Sequence, residues 1–219
     1  MRLPAVIPLA IFCTASVAAC RGTGSSSAGP PIVQPGAPGQ PTRVIQAAQA
    51  ADTSKVGYTA ADVRFMQGMI GHHAQALEMA ALVPSRTGRE DMKMLALRID
   101  VSQADEIKMM QRWLEVRGQD VPAAHAHTAH GAALMPGMLT PQEMARLAAV
   151  KGAEFDRLFL EGMIKHHGGA LTMVKALFDS PGAGQEAEMN AFASDVDADQ
   201  RMEIERMGAM LAMLKEQQQ

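Results

Sequence analysis

FMQGMIGHHAQALEM at residues 65–79 and FLEGMIKHHGGALTM at residues 159–173 decide the fold, because both stretches run through the same order of residue types. The repeat extends beyond them. Asp62 aligns with Asp156, Gly68 with Gly162, Met69-Ile70 with Met163-Ile164, and His72-His73 with His166-His167, all at a shift of ninety-four. A second series aligns Asp100, Gln103, Glu106, Ile107, Met110 and Leu114 with Asp197, Gln200, Glu203, Ile204, Met207 and Leu211 at a shift of ninety-seven. The extra three residues are readily absorbed by a turn.

Helical start and stop signals frame each series. The first predicted helix opens at Thr59, with Asp62 three residues on, and stops near Pro84. Thr87 and Glu90 make a capping-box pair for the second, which reaches about Arg117 and ends at Gly118. The third takes Thr140 as N-cap, Pro141 as first helical residue and Glu143 to complete a capping box, and continues to about Phe178. Ser180, Pro181 and two glycines make a turn before a fourth helix from about Gln185 to Lys215. Each hairpin alone leaves an apolar stripe exposed. Two copies therefore predict an all-α fold, an antiparallel four-helix bundle with repeat one at 58–118, a connector at 119–139 and repeat two at 140–217. Gly68 and Gly162 sit inside helices, where glycine costs about 1 kcal/mol relative to alanine, so their recurrence signals close helix approach or room beside a site.

Upstream of the repeats, residues 1–19 have a basic Arg2, an apolar stretch and small residues, the pattern of a secretory signal peptide. Val17-Ala18-Ala19-Cys20 resembles a bacterial lipobox, which makes Cys20 the expected lipidation site; an ordinary signal with a chance cysteine is the alternative. Cys13 leaves with the signal, so the mature chain forms no internal disulfide. Residues 20–55 are rich in Gly, Pro and Ser without helical or strand periodicity and read as a flexible tether. The expected address is the cell envelope, as a lipid-anchored protein facing the periplasm or cell exterior. Beyond the signal no apolar run spans a bilayer, and a formal charge of −3 without a basic block gives no footprint for nucleic acid.

Adjacent helical side chains diverge by about 100°, so the two histidines of a pair lie on neighbouring faces. Met66, Met69, His73 and Leu77 share one stripe; Phe65, Met69, His72, Ala76 and Met79 share the next. In the second copy the stripes are Leu160, Met163, His167, Leu171 and Phe159, Met163, His166, Met173. Leu160 thus stands where Met66 stands, which makes the two halves unequal. Glu106 shares its stripe with Ile107 and Met110, and Glu203 sits beside Met207; each is costly to bury without a proton, a cation or a metal. A facing histidine, or a metal held by both, resolves that cost.

Taken singly, a buried histidine is a hydrogen-bonded core residue and a methionine stripe is core filling. Two HH pairs, each preceded by Met-Ile and followed by a Met six residues on, point instead to a metal. Thioethers favour Cu(I) and imidazoles suit copper, zinc and iron, so copper is the first expectation and zinc or iron the remaining ones. The connector HAHTAHGAALMPGM, residues 125–138, adds His125, His127, His130, Met135 and Met138, read either as a metal-binding tract or as a polar loop. No HExxH, nucleophile elbow or phosphate-binding glycine loop occurs.

The doubled F-x-x-x-M-I-x-H-H, the Gln-x-x-Glu-Ile of the partner helices and the intervening M-P-G-M-L-T closely resemble the bacterial family of domain of unknown function 305, placed among ferritin-like helical bundles. The resemblance spans about residues 58–215. It implies an exported four-helix protein, with some members being periplasmic copper binders. Onto this chain it carries Met69, His72, His73, Met163, His166 and His167, with Met66, Met79 and Met173 as further ligands. The functions to be separated are a copper-binding lipoprotein that sequesters copper or passes it to a protein partner, a ferritin-like di-metal redox enzyme, and a structural or pH-sensing bundle without metal. The second needs Glu-x-x-His pairs, and none is present.

Overall fold

In a computed structural model of the chain, the described residues are 32–34, 43–46, 57–123 and 134–217. Five helices occur among them: α1 (Ala60–Arg86), α2 (Glu90–Val116), α3 (Pro141–Ala149), α4 (Gly152–Asp179) and α5 (Ala187–Glu216). The helices belong to one compact unit, Thr53–Gln219, and two short strands belong to another, Met1–Asp52. The strands β1 (Ile32–Gln34) and β2 (Arg43–Ile45) pair antiparallel with Val33 opposite Val44. Both strands fall within residues 20–55, where the sequence shows no strand periodicity. Two three-residue runs, each with a Val and an Ile, are too short to register as periodicity, yet they suffice for a ladder. The signal peptide, Cys20 and the connector histidines His125, His127 and His130 lie outside the described residues.

α1 packs along α2, α4 along α5, and α1 faces α4, which is the expected pair of hairpins assembled into a bundle. α1 starts where expected, with Thr59 and Asp62 forming a reciprocal capping box. It runs two residues past Pro84, since a proline in the last turn forfeits only one backbone hydrogen bond. α2 departs from expectation: its N-cap is Arg89, and no side chain caps it. Thr87 is otherwise engaged, accepting from the Arg89 amide at 3.1 Å and hydrogen-bonding the Asp156 carboxyl. The expected third helix is broken in two. Val150 and Lys151 are extended and Gly152 is left-handed (φ +62°), so α3 stops at Ala149 and folds onto α4, where Lys165 Nζ meets Glu143 Oε1 at 2.7 Å. Gly152 was the available signal; helical periodicity alone passes over it.

The contacts between the hairpins are reciprocal. Asp62 Oδ1 accepts from the Gly184 amide at 2.7 Å, in the turn between α4 and α5, while Asp156 reaches Thr87 in the turn between α1 and α2. A Cβ on Gly68 would meet Met173 Cε at 3.4 Å, and a Cβ on Gly162 would meet Met79 Cε at 3.3 Å. The two recurrent glycines thus make room for each other's repeat. At one end, Arg117 stacks over Trp113 (4.2 Å to the ring centroid) and pairs with Glu188 at 2.9 Å, tying the close of α2 to the start of α5.

The apolar core is divided in two. One cluster holds Phe65, Met66, Met69, Met110, Trp113, Val174, Phe192 and their neighbours; the other holds Met79, Leu95, Ile99, Phe159, Leu160, Met163, Met207 and theirs. Between the two clusters along α1 and α4 stand the histidine pairs, all four imidazoles buried.

The segment 135–139 crosses this middle zone and depends on glycine. A Cβ at Gly169 would lie 1.9 Å from Pro136 O, whereas one at the neighbouring Gly168 would meet nothing within 4 Å. Gly169→Ala is therefore expected to lower stability by about 1–3 kcal/mol through overpacking. Gly168→Ala should be neutral or stabilising by up to about 1 kcal/mol. Urea unfolding of the two variants checks the contrast.

Candidate metal centre

Each histidine of the middle layer has its Nε2 committed. His73 Nε2 lies 2.5 Å from Glu106 Oε2, and His167 Nε2 lies 2.6 Å from Glu203 Oε2. His72 Nε2 lies 3.0 Å from Pro136 O, and His166 Nε2 lies 3.0 Å from His72 O. Carbonyl oxygens only accept, so His72 and His166 carry the proton on Nε2 and their Nδ1 is a lone pair. Nδ1 of His73, His166 and His167 is buried with no hydrogen-bond partner among the described residues. The rings of His72 and His166 meet across the interface of α1 and α4, tilted by 38° with centroids 3.8 Å apart.

Burial drives the His166 imidazole well below its ordinary pKa, and the neighbouring His72, His167 and His73 add to the effect. A ring enclosed in low dielectric beside other imidazoles resists protonation. A neutral imidazole whose Nε2–H is anchored presents a basic nitrogen at its other edge, the arrangement in which outer partners orient a metal-ligating histidine.

Thioethers border the layer on both sides, though not as the helical stripes suggest. Met66 and Met69 share their cluster with Met110 and with Met173 of the other repeat; Met163 shares its cluster with Met79 and Met207. Each group therefore draws on both repeats. Leu160 is buried in the second, where Met66 occupies the first, so the inequality expected between the halves is present in three dimensions. Of the connector methionines, Met135 Sδ would stand 3.3 Å from a Cβ on Gly68, and Met138 is buried.

Gln75, which the motif reading missed, and the glutamines of the Gln-x-x-Glu-Ile motif also shape the layer. Gln75 Nε2 donates to Leu139 O at 2.9 Å and its Oε1 accepts from the Leu139 amide at 2.7 Å, clamping the connector over α1. The aligned residue on α4 is Gly169, on which Pro136 and Gly137 rest instead. Gln103 and Gln200, one turn before Glu106 and Glu203, are buried; neither polar atom of the Gln103 side chain, nor Gln200 Oε1, finds a partner among the described residues. A buried glutamine at aligned positions in both repeats was the signal for this part of the layer.

The donors suit a soft cation better than a hard one. Among the described residues no three His, Cys, Asp or Glu side chains form a group able to hold a metal, so the carboxylate cage of a di-iron protein is not assembled there. Imidazole nitrogens with thioethers on either side remain, and that combination favours Cu(I).

The depressed His166 pKa sets a pH dependence. Below about pH 6.5, the ordinary histidine value, the unfolded chain takes up a proton that the folded protein refuses. Stability of the metal-free protein is then expected to fall by up to about 1.4 kcal/mol per pH unit as pH drops further. His166→Gln should remove that contribution, as measured by urea unfolding at pH values on either side of the ordinary histidine pKa of about 6.5.

Similarity to known proteins agrees with this layout. Residues 62–211 match the family described as domain of unknown function (DUF305). A candidate secreted DUF305 protein from Streptomyces coelicolor is 31% identical with a TM-score of 0.62, over 71% of this chain and 94% of that one. A DUF305 fragment from Deinococcus radiodurans is 32% identical with a TM-score of 0.61, over 71% and 98%. CopM in its Cu(II)-bound form is 28% identical with a TM-score of 0.56, over 69% and 95%; it has also been solved with Cu(I), with silver and in the apo form. None of the curated proteins matches the chain. With the match covering most of its length, the histidine-layered bundle described above belongs to the DUF305 family.

Proposed function

We propose that this protein binds copper, as Cu(I), in the cell envelope and sequesters it or passes it to a protein partner. The observation that carries the reading is the histidine layer: buried imidazoles whose Nε2 atoms are held, with Nδ1 of His73, His166 and His167 unpartnered among the described residues, and with methionines bordering the layer on both sides. His72, His73, His166 and His167 supply nitrogen, and Met69 and Met163, one turn away, supply sulfur, with Met66, Met79 and Met173 as further thioethers. Glu106 and Glu203 orient His73 and His167 through Nε2. The likeness to CopM, solved with Cu(I), Cu(II) and silver, supports the choice of metal.

Export through residues 1–19 and a lipid on Cys20 complete the proposal. No described helix is long and apolar enough to cross a membrane, so attachment would rest on the lipid. An envelope setting also favours thioethers over thiols, since thiols are consumed by oxidation there.

A second reading has its own support. The direct His–Glu hydrogen bonds already satisfy part of the layer without metal, as a structural or pH-sensing bundle would require. Competitive titration of the protein with Cu(I) against a chelator of known affinity, with Zn(II) and Fe(II) in parallel, separates the two. Tight Cu(I) binding is expected. His72→Ala with His73→Ala should lower the copper bound, and adding His166→Ala with His167→Ala should lower it further. Unchanged binding in the fourfold variant would reject the site; absence of binding in the parent protein would leave the structural reading.

A further inference from the structure

The two His–Glu pairs are built alike but open onto different surroundings. Glu106 is 13% exposed and Glu203 only 6%. Glu106 lines a cleft of about 320 Å³ between α2 and α5, with Ser102, Asp105, Met109, Asp195 and Asp199. That volume holds several waters at about 30 Å³ each, enough for a hydrated cation. Behind Glu106 lies His73, fully buried, with its Nδ1 unpartnered among the described residues.

The second pair has a cation beside it instead. Glu203 gives Oε2 to His167, and its other oxygen lies 3.6 Å from Arg98 Nε. At the repeat's shift of ninety-seven, the residue aligned with Arg98 is Asp195, and the residue aligned with Met109 is Arg206. A cation entering the cleft therefore meets Asp195 and Met109 around Glu106, whereas Arg98, at the position matching Asp195, stands beside Glu203. One neighbour tempers the first face: Lys108 pairs with Asp105 at 2.8 Å, which leaves Asp195 and Asp199 to set its sign. Burial and the charges of Glu106 and Glu203 push the Asp199 carboxyl up, while Arg98 pulls it down, so all four groups share one electrostatic neighbourhood.

We infer that cations reach the histidine layer through the acidic cleft between α2 and α5 and load the His73–Glu106 half first, while Arg98 bars the direct route to His167–Glu203. This rests on the copper-handling reading of the layer. Asp195 and Arg98 are then positioning residues that set the order of loading without being ligands. Focused fields of this kind change the rate at which an ion arrives far more than the amount held at equilibrium.

The test uses the full chain and Ag(I), a redox-inert soft cation, with uptake followed by stopped-flow competition against a chromophoric chelator. Asp195→Arg is expected to slow the fast phase about tenfold, more at low salt, with the silver bound at equilibrium unchanged. Arg98→Asp should speed the slow phase. Asp195 is exposed, and Asp195→Asn serves as a milder variant with a smaller effect in the same direction. Wild-type rates in all three variants would overturn the inference even if silver binds normally. Absence of silver binding would reject the copper reading instead, and access is then judged in the metal-free protein by the rate of histidine carbethoxylation. His73 should react faster than His167, with Arg98→Ala raising the His167 rate; equal rates in the parent protein would overturn the inference.

Discussion

Four imidazoles and two carboxylates in the middle of a helical bundle impose the constraint on which the rest of this structure depends. Burying such groups unpaired is costly, and the bundle meets the cost by committing every Nε2 and by placing each glutamate against a histidine. The apolar core is consequently split into two clusters with the polar layer between them. A four-helix protein built for stability alone would have one continuous core. The interruption of the core is the direct packing consequence of that polar layer.

Meeting that constraint requires backbone to enter the layer. The connector supplies it: Pro136 offers its carbonyl to His72, Gln75 clamps Leu139, and Gly169 admits the chain where any side chain would collide. The second repeat solves the same problem differently, with His166 taking the carbonyl of His72 itself. The two rings are thereby brought together, and His72 adds to the burial that holds His166 neutral. The bundle is thus symmetric in its helices and asymmetric in its polar contacts.

The same asymmetry extends to the surface. Arg98 and Asp195 occupy aligned positions with opposite charge, so Glu203 has a cation beside it where the cleft at Glu106 has a carboxylate. Under the proposed copper-handling function, such a difference orders the two halves in time. Leu160 in place of Met66 adds a difference in donors to the difference in access.

By itself the sequence determined the doubled hairpin, the all-α class and the candidate donors, because helical period and capping act over a few residues and recur at a fixed shift. It also marked Gly68 and Gly162 as places of close approach. Three matters were decided only by the tertiary structure. α3 separates from α4 because Gly152 adopts a left-handed conformation that the packing of Glu143 on Lys165 accompanies. Met79 joins Met163, and Met173 joins Met69, because helices from opposite repeats meet, which no stripe on a single helix records. Glu106 and Glu203 meet Nε2 rather than each other because each hairpin sets its own carboxylate against its own histidine. Local periodicity fixes which face a residue occupies; what that face meets depends on residues some thirty to more than a hundred positions away, and only packing chooses among them.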